Sequence, residues 1–287
     1  MDEILIDCSP GISGDMLLSA FHDLGVPQTI FEIPLKKLGL TNFFSLSFHE
    51  SKSYSFRGIK TEVNIFKDNE KRQWKDIKKL ILKGGLGKNL ESLIIKVFES
   101  LAIAEGQVHG INPDEVHFHE IGSLDSLVDV IGVCAAVDHL NPKKIYCNSP
   151  NLGKGFVFSE HGKIPIPSPV VLELISKSNI EICSDSSIEA ELSTPTGIAL
   201  LLTLVNSFKL PYQYSINSYG IGIGHKNLPF PNLLRVLNID VSNSNKSHPN
   251  NHLIFEEISI QEAWLDDSTP EEIASFVGFM REGGVLD

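Results

Sequence analysis

The densest run of chemistry-bearing side chains in this 287-residue sequence is His117-Phe118-His119-Glu120. Residues two apart in an extended segment point to the same side, so His117 and His119 present two imidazoles to one metal ion with Glu120 beside them. Gly122-Ser123 then opens a helix on which Asp125 and Asp129, four residues apart, share a face. Five metal-capable side chains thus fall within thirteen residues, next to a helix N-terminus that favours an anion or a coordinated phosphate. The competing reading makes the two histidines surface strand residues and turns both aspartates to solvent. Spacing alone leaves the two readings level.

A second constellation lies at the first turn, Asp7-Cys8-Ser9-Pro10-Gly11-Ile12-Ser13-Gly14-Asp15. Gly11, Ser13 and Gly14 open a helix there, and backbone N–H groups at such a turn hold phosphate. Asp7 and Asp15 would repel a bare phosphate, so their presence suits one bridged by a divalent cation, or direct metal binding, with Ser9 alongside. Glycine and serine at a strand-to-helix turn are more often turn chemistry alone. A third segment, Gly153-Lys154-Gly155 to His161-Gly162-Lys163-Ile164-Pro165-Ile166-Pro167, offers Lys154, Lys163 and His161 to an anionic substrate, or is simply a proline-stiffened surface loop. Glu191 before Thr194-Pro195 and the run Gly220-Ile-Gly-Ile-Gly224 each read as ligand-facing, or as a helix cap and a close backbone approach.

The elements that must position these groups follow from periodicity. A short buried strand, Ile4 to Asp7, feeds the first turn and a helix ending at Gly25, and a short helix over 28–38 comes next. Alternating Phe44/Leu46/Phe48 and Val63/Ile65 predict a hairpin with Arg57-Gly58 between its strands. Helices are expected over 73–82, 90–108 and 123–140, the last with Ser123 as cap and a wide apolar face that leaves a narrow stripe of Asp125, Asp129, Gly132 and Ala136. Ser168-Pro169 and Thr194-Pro195 each set a capping hydroxyl before a proline at the first helical position. Strands are expected over 145–147, 212–224 and 233–241. Strands and helices alternate while two strand pairs look antiparallel, which predicts an α/β to α+β fold with a mixed sheet and flanking helices.

Residues 1–240 form the expected main domain, the polar run 241–252 a linker, and 253–287 the incomplete start of a second α/β domain, with Thr269-Pro270 and Glu272 forming a capping box. The formal charge is −12 and the four arginines are dispersed, which argues against a nucleic-acid surface. No apolar run approaches the roughly 20 residues of a membrane span, and the N-terminus is acidic where a signal peptide is basic. The four cysteines are far apart with no C-x-x-C pair, which favours a reducing, cytoplasmic setting over a disulfide framework or thiolate zinc.

In collinear order, DCSPGISGDMLLSAFHDLG (7–25), VHFHEIGSLDSLVDVIG (116–132), PNLGKGFVFSEHGKIPIPSP (150–169), ELSTPTGIALL (191–201), YGIGIG (219–224) and PNLLRVL (231–237) closely resemble the nickel-insertion family of nickel-pincer cofactor biosynthesis. That resemblance implies a cytoplasmic chelatase or cyclometallase of the lyase class. It would insert Ni²⁺ into pyridinium-3,5-bisthiocarboxylic acid mononucleotide, forming nickel–sulfur bonds and one nickel–carbon bond, in a CTP-dependent reaction assisted by Mg²⁺ or Mn²⁺. Imidazoles suit nickel, and the oxygen-rich Asp7/Asp15 turn suits a hard cation with phosphate. His117, His119 and Glu120 would deliver nickel, while the first turn or the lysines would hold the substrate's phosphate.

The C-terminal stretch departs from the family's pattern: Trp264, Leu265 and Ser268 replace Asn, Ile and Met ahead of Thr269-Pro270-Glu271. The domain to which the family's CTP chemistry is attributed is expected to be short or supplied by a separate C-terminal chain. A nickel-binding or scaffolding module without turnover is the alternative from another class, and a metal-dependent phosphohydrolase is a third.

Overall fold

The structure is a computed structural model describing residues 2–66, 72–118, 122–183, 188–241 and 266–283. Its chain divides into two compact units, Met1–Ser247 and His248–Asp287. The first holds a six-stranded sheet that is mixed, as the alternation of elements predicts, with the strand order β2-β3-β7-β8-β1-β4. Here β1 is Glu3–Asp7, β2 Phe44–Ser53, β3 Phe56–Ile65, β4 Lys144–Cys147, β7 Ser215–Ile223 and β8 Leu233–Asp240. β1 is parallel to β4 and antiparallel to β8, and both expected antiparallel pairs form, β2 with β3 and β7 with β8.

Helices α1 (Gly14–Asp23), α2 (Gln28–Lys37), α3 (Trp74–Lys83), α4 (Lys88–His109), α5 (Leu124–Leu140), α6 (Pro169–Ser176) and α7 (Pro195–Leu204) complete this unit. α5 is apolar around most of its circumference, the signature of a buried helix. It packs among α1, α2, α4 and α7, with Leu127, Ile131 and Cys134 fully buried. Ser168 accepts a hydrogen bond from the Val171 N–H, and Thr194 accepts one from the Gly197 N–H, so both Ser/Thr-Pro pairs cap their helices as expected. The second unit's helix, α8 (Pro270–Glu282), begins with the expected capping box of Thr269 and Glu272. The expected linker after Val241 and the expected strand over 253–260 lie outside the described residues.

Two local expectations change. The β2–β3 hairpin does not turn at Arg57-Gly58: the strands stay paired from Phe44 opposite Ile65 to Ser53 opposite Phe56, and the turn is Tyr54-Ser55 with Tyr54 at φ 55°. Gly58 instead marks where β3 presses on β7, since a Cβ there would stand 2.8 Å from Ile221 Cγ2. The segment read as a proline-stiffened loop contains a two-stranded hairpin, β5 (Gly155–Ser159) with β6 (Gly162–Ile166). Proline is tolerated there because this small ribbon leaves each strand an outer edge with no ladder to complete.

The contact that orders the main unit is α1 lying on β7. A Cβ at Gly220 would collide with the Ala20 carbonyl, and one at Gly222 with the Met16 carbonyl. The bare glycine backbone therefore lets a helix backbone rest directly on a strand. Buried Ser19 extends this seat through hydroxyl contact with Thr61 of β3 at 2.6 Å. Gly222→Ala is expected to lower stability by at least about 2 kcal/mol through overpacking, measured by urea denaturation. A loss below about 0.5 kcal/mol would show that α1 does not rest on this strand.

Candidate functional site

The carboxyl end of β7 and the first turns of α1, α5 and α7 meet around a cavity of about 380 Å³. Its acidic lining is Asp15 from α1, Asp125 and Asp129 from α5, and Glu191; its basic groups are His225 and Lys226. The narrow stripe on α5 faces α1 at this point. Gly14 has no side chain, and a Cβ there would sit 2.7 Å from Asp129 Cβ, so α1 begins directly against Asp129.

Asp129 Oδ1 is buried without a hydrogen-bond partner among the described residues. Desolvation pushes this carboxyl well above its usual range, and the charges of Asp15 and Asp125 push it further; a backbone N–H of Asp15 opposes them weakly. Asp15 accepts a hydrogen bond from the Ser13 hydroxyl, and its Oδ2 lies 3.4 Å from Nε2 of half-exposed His225. Across the cavity, Lys226 Nζ donates to the Glu191 carbonyl at 2.8 Å and to Glu191 Oε2 at 3.1 Å. Asn232 fixes the loop between β7 and β8: its Nδ2 donates to the Lys226 carbonyl at 3.0 Å, and its own carbonyl accepts from the Gly224 N–H at 3.2 Å.

The residues expected together from sequence sort into separate places. Asp15, Asp125 and Asp129 share the cavity, with Ser13 also on its wall. Asp7 lies elsewhere. Its Oδ1 accepts from the Ser9 hydroxyl at 2.7 Å and from Asn148 Nδ2 at 3.0 Å, while Oδ2 is paired with Arg235 of β8. Burial opposes ionisation of Asp7, but the Ser9 hydrogen bonds and the Arg235 guanidinium outweigh it and hold the carboxyl below its usual range. The turn's amides are likewise engaged: the Gly11 N–H donates to the Cys8 carbonyl and the Ile12 N–H to the Leu192 carbonyl. Gly11, at φ 113°, lies against Leu192 with no room for a side chain. The phosphate cradle expected over Ser9 to Gly14 is thus used up by internal bonds, apart from the α1 terminus that faces Asp129.

His117 is exposed, with Gln73 Nε2 donating to its Nε2 at 2.5 Å, and Phe118 beside it is buried against Phe98. This in-out alternation is the one expected of an extended segment. His119 and Glu120 lie outside the described residues, and His117 is not part of the cavity wall. Lys154 precedes β5, and His161, at the β5–β6 turn, stands with its ring 4.9 Å from that of His109; neither lines the cavity. Among the described residues no three His, Cys, Asp or Glu side chains are arranged to hold a metal ion by themselves. Sequence reasoning missed His225, Lys226 and Asn232. The signal available was their place just after the Gly220–Gly224 run, at the carboxyl end of a strand on which a helix rests.

The sequence pattern of one family, described as nickel insertion protein, matches residues 4–287. The chain belongs to that family. A pyridinium-3,5-bisthiocarboxylic acid mononucleotide nickel insertion protein of Staphylococcus epidermidis is 34% identical over 284 residues, covering 99% of this chain and 69% of the relative. One of the same name from Clostridium kluyveri is 34% identical over 299 residues, covering 100% and 72%. This member of the nickel insertion family therefore spans about 70% of those relatives' length. The matches run through residues 253–287 as well, and nothing in them supports a separate partner chain. No solved structure matches. Among the described residues no helix is long and apolar enough to cross a membrane.

The raised Asp129 carboxyl makes a stability prediction. Its folded-state pKa lies above the unfolded value, so the native protein binds the extra proton and stability falls as pH rises between the two. Asp129→Asn removes that penalty. In metal-free protein the variant should melt higher than wild type at about pH 8, with the advantage vanishing towards about pH 4, where the unfolded carboxyl is also protonated. A variant that melts lower at about pH 8 would mean that ionised Asp129 anchors α1.

Proposed function

We propose that this chain inserts nickel into pyridinium-3,5-bisthiocarboxylic acid mononucleotide, and that insertion takes place in the acidic cavity. Family membership supports the reaction, and one observation carries the location: Asp129 Oδ1, buried in a cavity with two further aspartates and without a hydrogen-bond partner among the described residues. A desolvated carboxylate cluster of this kind is held apart by like-charge repulsion and is stabilised by a dication placed among its oxygens.

The cavity does not supply a closed ligand set, which suits a metal that is cargo. In this reading Asp129 and Asp15 hold Ni²⁺ through oxygen, and the two thiocarboxylate sulfurs of the substrate complete its coordination. Sulfur is the softer donor, so the ion passes to the substrate. Without nickel, the carboxylates repel the anionic thiocarboxylates; with nickel between them, repulsion becomes attraction. The ring carbon between the thiocarboxylates loses its hydrogen as a proton when the nickel–carbon bond forms, and that proton needs an acceptor. Asp15, 3.4 Å from half-exposed His225, offers a route to solvent. Exposed His117 collects nickel before it reaches the cavity, and the family resemblance adds His119 and Glu120 to it as donors.

CTP dependence, assistance by Mg²⁺ or Mn²⁺ and assignment to the metal-chelate-forming lyases complete the proposal, on the strength of the family resemblance. The first-turn phosphate role is not retained, because the Ser9, Gly11 and Ile12 amides have internal partners.

Nickel incorporation into the mononucleotide, followed by mass spectrometry with CTP and Mg²⁺ present, tests the reading. Asp129→Asn and Asp15→Asn should each lower the yield by roughly 100-fold at limiting nickel, while His117→Ala should lower it less and recover as nickel is raised. Wild-type yield from both aspartate variants would remove the cavity from the reaction.

A further inference from the structure

A second cavity, of about 290 Å³, shares Gly224, His225, Lys226 and Leu228 with the first. Its far wall is the β2–β3 hairpin, which contributes Lys52, Ser53, Tyr54 and Lys60. Its charge is opposite to that of its neighbour: among the described residues no carboxylate lines it. The shared basic side chains are already engaged, His225 with Asp15 and Lys226 with Glu191. Lys52 and Lys60 have no carboxylate partner among the described residues, in a chain of net charge −12 where partners are plentiful. Two uncompensated ammonium groups around one concavity attract an anion.

The walls are tied together. Tyr54 adopts the left-handed conformation at φ 55°, and its hydroxyl donates to the Leu228 carbonyl at 2.9 Å. The Asn232 N–H donates to Ser53 Oγ at 3.0 Å. The hairpin tip is thereby fastened to the same loop that carries His225 and Lys226 on the wall of the acidic cavity. The two-residue turn itself sets the positive φ of Tyr54, and the cross-wall hydrogen bonds fix the position of the hairpin tip.

We propose that this basic cavity holds the phosphate monoester of the mononucleotide, with Lys52 and Lys60 as its charge partners, so that the ring end of the same molecule reaches the acidic cavity across the Gly224–Leu228 wall. The assignment rests on the nickel-insertion reading and adds to it the subsite that distinguishes a nucleotide from its riboside. It replaces the first turn, Lys154 and Lys163 as the phosphate-binding group.

The experiment is calorimetric titration of the full chain with nicotinic acid mononucleotide, its riboside, and CTP with Mg²⁺. Wild type should bind the mononucleotide at least about tenfold more tightly than the riboside, and Lys52→Gln/Lys60→Gln should erase that difference without changing riboside affinity. The Lys52→Arg/Lys60→Arg variant should retain most of the difference, which separates lost charge from lost fold, and CTP affinity should be the same in all three proteins. Equal binding of mononucleotide and riboside to wild type overturns the proposal, as does an unchanged preference in the Gln variant, or a loss confined to CTP. Failure of the nickel-insertion reading shows separately, as absence of nickel-bearing product from wild type with the bisthiocarboxylic acid substrate.

Discussion

The seat of α1 on β7 is the constraint on which the rest of the site depends. Because Gly220 and Gly222 bring no side chain, the helix backbone rests on the strand, and the helix can start only where β7 ends. That fixes three things together. The α1 amino terminus meets Asp129 of α5, Asp15 comes within 3.4 Å of His225 in the loop after β7, and Ser19 meets Thr61 of the neighbouring strand. α5 in turn is immobilised by burial on most sides, which fixes where Asp129 stands on the cavity wall. A polar site is held in place by apolar and backbone packing, and its precision comes from glycine.

Electrostatically, the cavity is an unfavourable arrangement kept for a purpose. Three aspartates crowd one volume, and Asp129 among them has a buried oxygen with no hydrogen-bond partner among the described residues, where burial works against its ionisation. By contrast Asp7, a few residues before α1, has its charge met by Arg235, Ser9 and Asn148 and sits in a satisfied structural network. The difference between these two acidic groups separates a site from a brace. It also suits cargo chemistry. A closed, fully satisfied ligand shell would hold nickel too well to surrender it, whereas a partial oxygen shell leaves coordination positions for the acceptor's sulfurs.

Much of this was legible in the sequence because it is local. The stripe of Asp125, Asp129, Gly132 and Ala136 on an otherwise apolar helix, the two Ser/Thr-Pro caps and the paired alternating strands are written within windows of a few residues, and each formed. What was hidden is what the sheet order brings together. Asp7 and Asp15 looked like one turn with one function, yet Arg235, more than two hundred residues later, lies on the strand next to β1 and claims Asp7. His225 and Lys226 carry no motif; they matter because β7 ends at the foot of α1. Gly58 punctuated the hairpin in the sequence and proved to be a crossing point with Ile221 and Ile223. Arg57, read with it as part of a turn, is held inside β3 by Asp23 and Glu50.

Nickel is proposed to meet the substrate beside Asp129. The most direct measurement is anomalous diffraction at the nickel edge from crystals of the full chain loaded with Ni²⁺ and the bisthiocarboxylic acid mononucleotide. A nickel peak is expected in the acidic cavity, at about 2.0–2.2 Å from a carboxylate oxygen of Asp129 or Asp15. A peak confined to the His117–Glu120 segment, with the cavity free of nickel while product forms, would contradict it.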